Sequence, residues 1–379
     1  MPRSLFITND FPPRIGGAQS YYWGMIRTLD PEHVVVLAPA HREAASFDAT
    51  HEYSVVRAPT SILWPTPRLE RLARSLVLSR DLALVQLGHP LPAGLLGPRL
   101  KRSTGRPYLV FLGGAEVTLT AAVPLAGALL RSVLRGASLL VSVSEFTAAA
   151  ARHVESKVPA AVLRPALDTD SFAPAGPDEK AVAKAALGVD GALVVCIGRL
   201  VPRKGQDRLI DALARLAGEF PRLELALIGD GRLRGSLRRR AERLGVAARV
   251  RFAGALPDEE MRAWLRAADV FASPCRTRWG GLEVEGFGLV FAEAALAGLP
   301  VIAGRSGGAP EAVAAEDSGL VVDGRSAEET AAALARLLRM TAAERQRMGE
   351  RGRALALARH SPAIAGERYR QLLRQAVDG

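Results

Sequence analysis

The residues best suited to chemistry lie in one stretch, Cys275 to Gly298, which reads C-R-T-R-W-G-G-L-E-V-E-G-F-G-L-V-F-A-E-A-A-L-A-G. Cys275 to Gly288 is polar and glycine-dense, with Arg276, Arg278, Glu283 and Glu285. Leu289 to Leu299 is an apolar, alanine-rich helical run with one carboxylate, Glu293, set into it. A glycine loop feeding a helix N-terminus leaves free backbone N–H groups and the positive end of a helix dipole at one spot. That arrangement binds anions, phosphates above all. Glu285 stands before the helix and Glu293 two turns inside it, at most about 12 Å away by helical rise. Two carboxylates so separated could hold hydroxyls at opposite ends of one folded nucleotide-sugar. The plainer alternative is that the glycines serve only the turn and Glu293 faces solvent.

Two cations extend the pattern. Ala192 to Ile197 reads as a strand, and Gly198-Arg-Leu-Val-Pro-Arg-Lys-Gly205 follows it before a helix begins at Asp207. In open α/β sheets ligands bind beyond the carboxyl ends of the strands, near a change in strand order. Arg199 and Lys204 there would neutralise a diphosphate, arginine forking onto oxygens and lysine acting as a point charge. Arg203 reads instead as a basic surface residue. No Asp/Glu cluster at metal-ligand spacing accompanies them, so the positive side chains would replace a metal ion and no metal ligands are expected. A second glycine turn, Asn9 to Gly17, follows the strand Ser4 to Thr8. Gly16 and Gly17 either admit a phosphate or sugar or merely turn the chain. G-x-G-x-x-G is absent, which argues against a nicotinamide oxidoreductase.

The elements that must position these residues alternate in two series. Strands are expected at 4–8, 34–38, 55–57, 82–87, 108–112, 139–143 and 161–164, with helices at 18–29, 69–80, 94–103, 125–135 and 145–153 between them. Pro165 to Asp178, with three prolines, reads as a linker. The second series has strands at 192–197, 223–228, 249–253, 270–273, 300–303 and 319–322, and helices at 207–220, 233–244, 258–268, 289–299, 326–339, 342–358 and 362–376. Such alternation implies two doubly wound α/β domains facing a cleft.

Composition narrows the partners. The 379 residues, 49% of them hydrophobic, can build two cores. A net charge of +11 suits an acidic partner, whether nucleic acid, an anionic membrane surface or an anionic substrate. Aromatics are only 5% and do not interleave with the basic residues, so nucleic acid is the weakest option. The arginines of helices 68–80 and 99–106 either rest on anionic lipid or solvate ordinary amphipathic helices. No signal peptide or spanning segment is read, and Cys196 and Cys275 are expected to be buried thiols in a reducing, cytoplasmic compartment.

The motif Gly198-Arg-Leu-Val-Pro-Arg-Lys-Gly205, together with Glu285-(seven residues)-Glu293, resembles family 4 of the retaining, GT-B-fold glycosyltransferases, and the similarity runs over the whole chain. The longer segments Arg276 to Val290 and Val301-Ile-Ala-Gly-Arg-Ser-Gly-Gly-Ala-Pro-Glu311 resemble the actinobacterial GDP-mannose-dependent phosphatidylinositol mannoside mannosyltransferases. The resemblance implies two Rossmann-like domains. These are 1–168, acceptor-side, with the helix 362–379 crossing back onto it, and 169–361, which binds the nucleotide-sugar. Glu285 would contact donor-sugar hydroxyls, supported by backbone amides of Phe287, Gly288, Leu289 and Val290, while Glu293 would hold the ribose. Arg199 and Lys204 would take the diphosphate, Gly16 and Gly17 would close over it, and the base would stack near Gly254 to Leu256. GDP-mannose is then a substrate, no cofactor is implied, and the acceptor is a lipid at the inner membrane face.

One departure stands out. The family carries an H-G-H-E-like segment where this chain has Gly113-Gly-Ala-Glu116, so the histidine that helps hold the donor sugar is missing. His89 either replaces it from a neighbouring strand end or is structural. Two further readings keep the fold: a UDP-sugar donor with a soluble acceptor, or a non-catalytic nucleotide-sugar-binding protein.

Overall fold

The computed structural model describes residues 1–378, with Ala115 described by its backbone alone; Gly379, the expected end of the last helix, lies outside these residues. The chain divides into two compact units, Met1–Leu167 with His360–Gly379, and Asp168–Arg359.

In the first unit the strands are β1 (Ser4–Ile7), β2 (Val34–Pro39), β3 (Ser54–Ala58), β4 (Leu84–Leu87), β5 (Tyr108–Leu112), β6 (Leu139–Ser142) and β7 (Ala160–Val162). Its helices are α1 (Gly17–Ile26), α2 (Ala44–Asp48), α3 (Pro67–Ser79), α4 (Leu96–Thr104), α5 (Ala115–Ala121), α6 (Pro124–Gly136) and α7 (Glu145–Val154). The strands pair in parallel in the order β3-β2-β1-β4-β5-β6-β7. Every residue of β1, β2, β4, β5 and β6 is buried, as continuous apolar strands covered on both faces should be.

The second unit holds α8 (Pro177–Ala186), β8 (Leu193–Ile197), α9 (Gln206–Leu216), β9 (Glu224–Ile228), α10 (Arg234–Arg243), β10 (Val250–Gly254), α11 (Asp258–Ala267) and β11 (Val270–Ser273). It continues with α12 (Leu289–Leu296), β12 (Val301–Gly304), β13 (Gly319–Val322), α13 (Ala327–Arg339) and α14 (Ala342–His360), whose last residue passes into the first unit. The strand order is β10-β9-β8-β11-β12-β13, again parallel. Both sheets therefore have the doubly wound order. Their switch points fall between β1 and β4 and between β8 and β11, where such sheets receive ligands.

Helix α8 begins at the end of the expected linker and runs through residues to which the sequence reading assigned no element. None of its residues is buried, and Val182 points outward, so it leaves no apolar period to read. It starts with Pro177 at its first turn and Glu179 accepting from the Gly176 N–H, and Lys184 reaches Asp269 at 2.5 Å. Helix α12 stops three residues short of the expected Leu299. Gly298, at φ 72°, takes the left-handed closing position, and the Leu299 N–H donates back to the Ala294 carbonyl.

The last helix, α15 (Pro362–Asp378), packs on the first sheet through a buried polar chain. The Tyr369 hydroxyl donates to Gln86 Oε1 at 2.6 Å, and Gln86 Nε2 donates to Ser4 Oγ at 2.8 Å. All three residues are fully buried, so each bond offsets the desolvation of its partners. Tyr369→Phe would strand the Gln86 carbonyl and should cost about 1–3 kcal/mol of stability, whereas Tyr369→Phe combined with Gln86→Leu should recover part of it; urea midpoints of both variants check this.

Candidate active site

The second sheet builds its site from the loops after the two strands that flank its switch point. Beyond β8 the chain passes Gly198 (φ 143°) and reaches Gly205 (φ 76°), which opens α9. A Cβ on Gly205 would lie 2.0 Å from the Pro274 carbonyl oxygen, so the two loops approach as closely as only glycine permits. Beyond β11 the loop is pinned: the Arg276 N–H donates to the Arg203 carbonyl at 2.8 Å, Arg276 pairs with Asp207 at 3.0 Å, and Arg278 pairs with Glu283 at 2.7 Å. Three of the polar residues of this loop thus act as its braces.

Glu285, the fourth, is different. Its carboxylate is buried (6% exposed) beside Lys204 (8% exposed), with Lys204 Nζ 2.9 Å and Arg203 Nε 3.5 Å from Oε2. Burial pushes the carboxyl up, yet Lys204, then Arg203 and more distantly Arg199 more than reverse that and hold it below the ordinary range. The backbone is fixed as well: the Glu285 N–H donates to Ser306 Oγ at 3.2 Å, and its carbonyl accepts from Gly308 at 2.9 Å. Oε2 is thus enclosed by the two cations and committed to the ion pair with Lys204. An ionised carboxylate has acceptor sites on both oxygens, so one committed to a cation through Oε2 can still accept from a ligand hydroxyl.

Helix α12 continues from this loop. Gly288 (φ 80°) precedes it without a side-chain cap, so the first-turn amides of Leu289 and Val290 keep their donors, while Phe287 is buried beneath. Glu293 sits on the partly exposed side of this helix, and its carboxylate has no hydrogen-bond or ion-pair partner among the described residues. Burial, reinforced by the charge of Asp258, pushes it up to about 7, with Arg262 and Lys204 acting in the opposite direction. Arg199 is exposed and its guanidinium has no hydrogen-bond partner among the described residues, which leaves its fork open to an anion. Gly254 (φ 81°) ends β10 and accepts from the Gly229 N–H at 2.6 Å, and a Cβ on Gly229 would lie 2.3 Å from the Gly198 carbonyl. The ends of β8, β9 and β10 therefore form a close backbone platform, with Leu256 partly exposed just beyond. Both cysteines are buried and burial pushes each thiol up to about 12, so neither is a nucleophile.

Known proteins resemble the whole chain. The family described as "Glycosyl transferases group 1" matches residues 178–355. A GDP-mannose-dependent alpha-(1-6)-phosphatidylinositol monomannoside mannosyltransferase of Mycolicibacterium smegmatis is 41% identical over 97% of this chain and 97% of its own length. The chain belongs to this glycosyltransferase family. A related mannosyltransferase of Corynebacterium glutamicum, named for a monoacylated form of the same acceptor, is 38% identical over 98% of this chain and 97% of its own length. Among solved structures, Anabaena HepE in complex with UDP and glucose superposes with a TM-score of 0.83 at 22% identity, covering 99% of this chain and 100% of that one. The glycosyltransferase thus has the GT-B architecture of two Rossmann-like units.

Gly16 and Gly17 belong to the first unit of the glycosyltransferase, at the start of α1, which again has no side-chain cap. The sequence reading weighed His89 but missed the cluster it forms beside them. Asp10, after β1, and His89, after β4, meet at 2.6 Å across the first sheet's switch point, and Gln19 donates to Asp10 at 2.7 Å. Burial lowers the His89 imidazolium, but Asp10 and Glu116 outweigh it and hold the ring above its usual value. Glu116 also accepts from the Gly113 N–H within the Gly113-Gly-Ala-Glu116 segment, in which the Ala115 side chain lies outside the described residues. The sequence signal for this cluster was the presence of Asp10 and His89 directly after two adjacent strands. Arg203 and Ser306 were missed too: one looks like a basic loop residue, the other lies 21 positions from Glu285.

Lys204→Met removes the nearest cation from a buried carboxylate and should cost about 3–5 kcal/mol, with Lys204→Met combined with Glu285→Leu regaining much of it; urea titration of both measures this. Glu293 binds its proton more tightly folded than unfolded. Its folded form therefore loses stability relative to the unfolded chain as pH rises from about 4.5 to about 7. Glu293→Gln should accordingly be more stable than the parent at pH 8 and equal to it near pH 4, as read from urea midpoints at the two pH values.

Proposed function

We propose that this glycosyltransferase moves mannose from GDP-mannose to a phosphatidylinositol mannoside with retention of anomeric configuration, while peripherally attached to the inner face of the cell membrane. The observation that carries the reading is the buried Glu285 carboxylate, kept ionised beside Lys204 and Arg203. The relatives' donor and acceptor, at about 40% identity over nearly the whole length, support the choice of substrates.

In this reading Arg199 and Lys204 take the diphosphate, whose negative charge grows as the anomeric C–O bond breaks. Amides of Phe287 to Val290 and the dipole of α12 add to that field. Glu285 holds hydroxyls of the mannose, Glu293 the ribose, and the strand-end platform near Gly254 to Leu256 receives the base. Gly16 and Gly17 close over the donor from the first unit, which carries the acceptor side; residues 1–168 with the final helix make that domain and 169–361 the donor domain. The acceptor oxygen bonds to the anomeric carbon on the face that the diphosphate leaves, and its proton passes to the leaving phosphate oxygen. No protein nucleophile takes part. Among the described residues no helix is long and apolar enough to cross a membrane, so attachment would be at the surface.

A thermal-shift panel tests the donor. GDP at a hundredfold excess over its Kd should raise the melting temperature on the order of 5 °C, with UDP, ADP and NAD much weaker, and Glu293→Ala should abolish the shift. A preference for UDP would redirect the donor, and no shift with any nucleotide would refute the reading. GDP-mannose has no terminal phosphate titrating near neutrality, so its binding isolates Glu293. Chelation of two hydroxyls favours the carboxylate, so affinity should fall about tenfold per pH unit below about 7, and Glu293→Gln should flatten that profile in isothermal titration. Incubation with GDP-mannose and phosphatidylinositol monomannoside should then yield a dimannosylated lipid.

A further inference from the structure

The loop that delivers Glu285 is a hairpin with a strained tip. Arg278 and Glu283 form an isolated antiparallel bridge across it, exchanging backbone hydrogen bonds of 2.9 and 3.2 Å. Arg325 Nη2 braces the base from outside by donating to the Thr277 carbonyl at 2.9 Å. Glu285 follows Glu283 by two residues, at most about 7 Å along the chain. Trp279-Gly-Gly-Leu282 closes the turn, and its first three residues all take positive φ: 50° at Trp279, 62° at Gly280 and 106° at Gly281. Glycine fills two of these positions, as backbone sterics favour, but tryptophan fills the third. A bulky side chain there is a conformational outlier.

Little in the second unit offsets that strain. Trp279 is 57% exposed, and a Cβ at Gly280 or Gly281 would meet nothing within 4 Å, so the tip stands clear of its surroundings. No other aromatic side chain of this unit is exposed among the described residues. The Arg278 guanidinium carbon lies 4.7 Å from the indole centre. Because Glu283 already holds that guanidinium, the stack fixes the plane of the indole on the hairpin. The indole N–H has no hydrogen-bond partner among the described residues.

Strain retained beside a binding residue, on a side chain that the fold does not use, points to a ligand. An indole offers an apolar, electron-rich face and one hydrogen-bond donor at its edge. A sugar ring matches both, with C–H groups on a face and hydroxyls around its rim. We infer that Trp279 is a stacking platform for a sugar ring at the edge of the Glu285 site, its N–H donating to a ring hydroxyl. Orientation by Arg278 prepares the ring in advance and lowers the ordering cost of binding. The inference rests on the reading of Glu285 as a holder of sugar hydroxyls. The ring is either the mannose of the donor or a ring of the acceptor headgroup.

Isothermal titration of the parent, Trp279→Gly and Trp279→Phe separates the two sources. The ligands are GDP, GDP-mannose and, with GDP present, the water-soluble deacylated form of phosphatidylinositol monomannoside. Glycine suits the backbone here, and relief of strain offsets the added freedom of the unfolded chain, so Trp279→Gly should melt within about 3 °C of the parent. GDP affinity should stay at the parental value in both variants. Trp279→Gly should bind one of the two sugar-bearing ligands about tenfold more weakly, while Trp279→Phe stays within about threefold. A loss confined to GDP-mannose assigns the platform to the donor sugar, and a loss confined to the soluble mannoside assigns it to the acceptor. Unchanged affinity for both in Trp279→Gly would overturn the proposal. So would a GDP affinity that falls in step with them, because the loop rather than a sugar contact would then be damaged. If the parent itself bound no GDP, the donor reading would fail instead, and titration with the mannoside alone would decide on Trp279.

Discussion

The second unit depends on keeping one carboxylate ionised where water does not reach it. Glu285 is buried, and burial alone would protonate it. Lys204 and Arg203 prevent that from the loop after β8, while Glu285 itself arrives on the loop after β11. The ion pair therefore joins the two strands at which the sheet order reverses, and its geometry requires both loops to come together. Gly205 against Pro274, Gly307 against the Glu285 carbonyl and the Arg276–Asp207 pair are all conditions of that approach. Removing a partner from such a pair leaves an uncompensated charge, so the braces around it are as much electrostatic as steric.

The two carboxylates of the site are driven in opposite directions by their surroundings. Glu285 has cations on its flank and stays charged; Glu293, without an ion-pair partner among the described residues, is shifted towards neutrality by burial and then by the charge of Asp258. Neighbouring groups with unequal proton affinity can serve unequal tasks. One carries a fixed negative charge beside a cationic cradle, and the other accepts or releases a proton according to what lies against it. Arg199, exposed and without a hydrogen-bond partner among the described residues, adds a further positive charge that acts on Glu285.

The first unit repeats the topology with different chemistry. Its switch point holds Asp10 and His89 in place of a Lys–Glu pair, and its sheet interior is crossed by the buried Ser4–Gln86–Tyr369 chain that fastens α15. The same strand order thus carries a Lys–Glu cluster in one unit and an acid–imidazole cluster in the other. Fold alone does not distinguish them; the side chains on the first few residues beyond each strand do.

The local parts of this protein were legible because their causes are local. Continuous apolar strands, the left-handed glycines Gly205 and Gly288, and the helix they introduce follow from patterning and backbone sterics within a few residues. The types of Arg199, Lys204, Glu285 and Glu293 suggested what chemistry the site would do. Helix α8 was invisible because polar contacts rather than an apolar stripe hold it, and Arg203 and Ser306 looked like ordinary loop residues. Only the tertiary structure decided which cation faces which carboxylate, and whether Asp10 and His89, separated by 79 positions, share a proton. The physical reason is that ionisation depends on burial and on neighbours within a few ångströms, and strand order, not sequence distance, selects those neighbours.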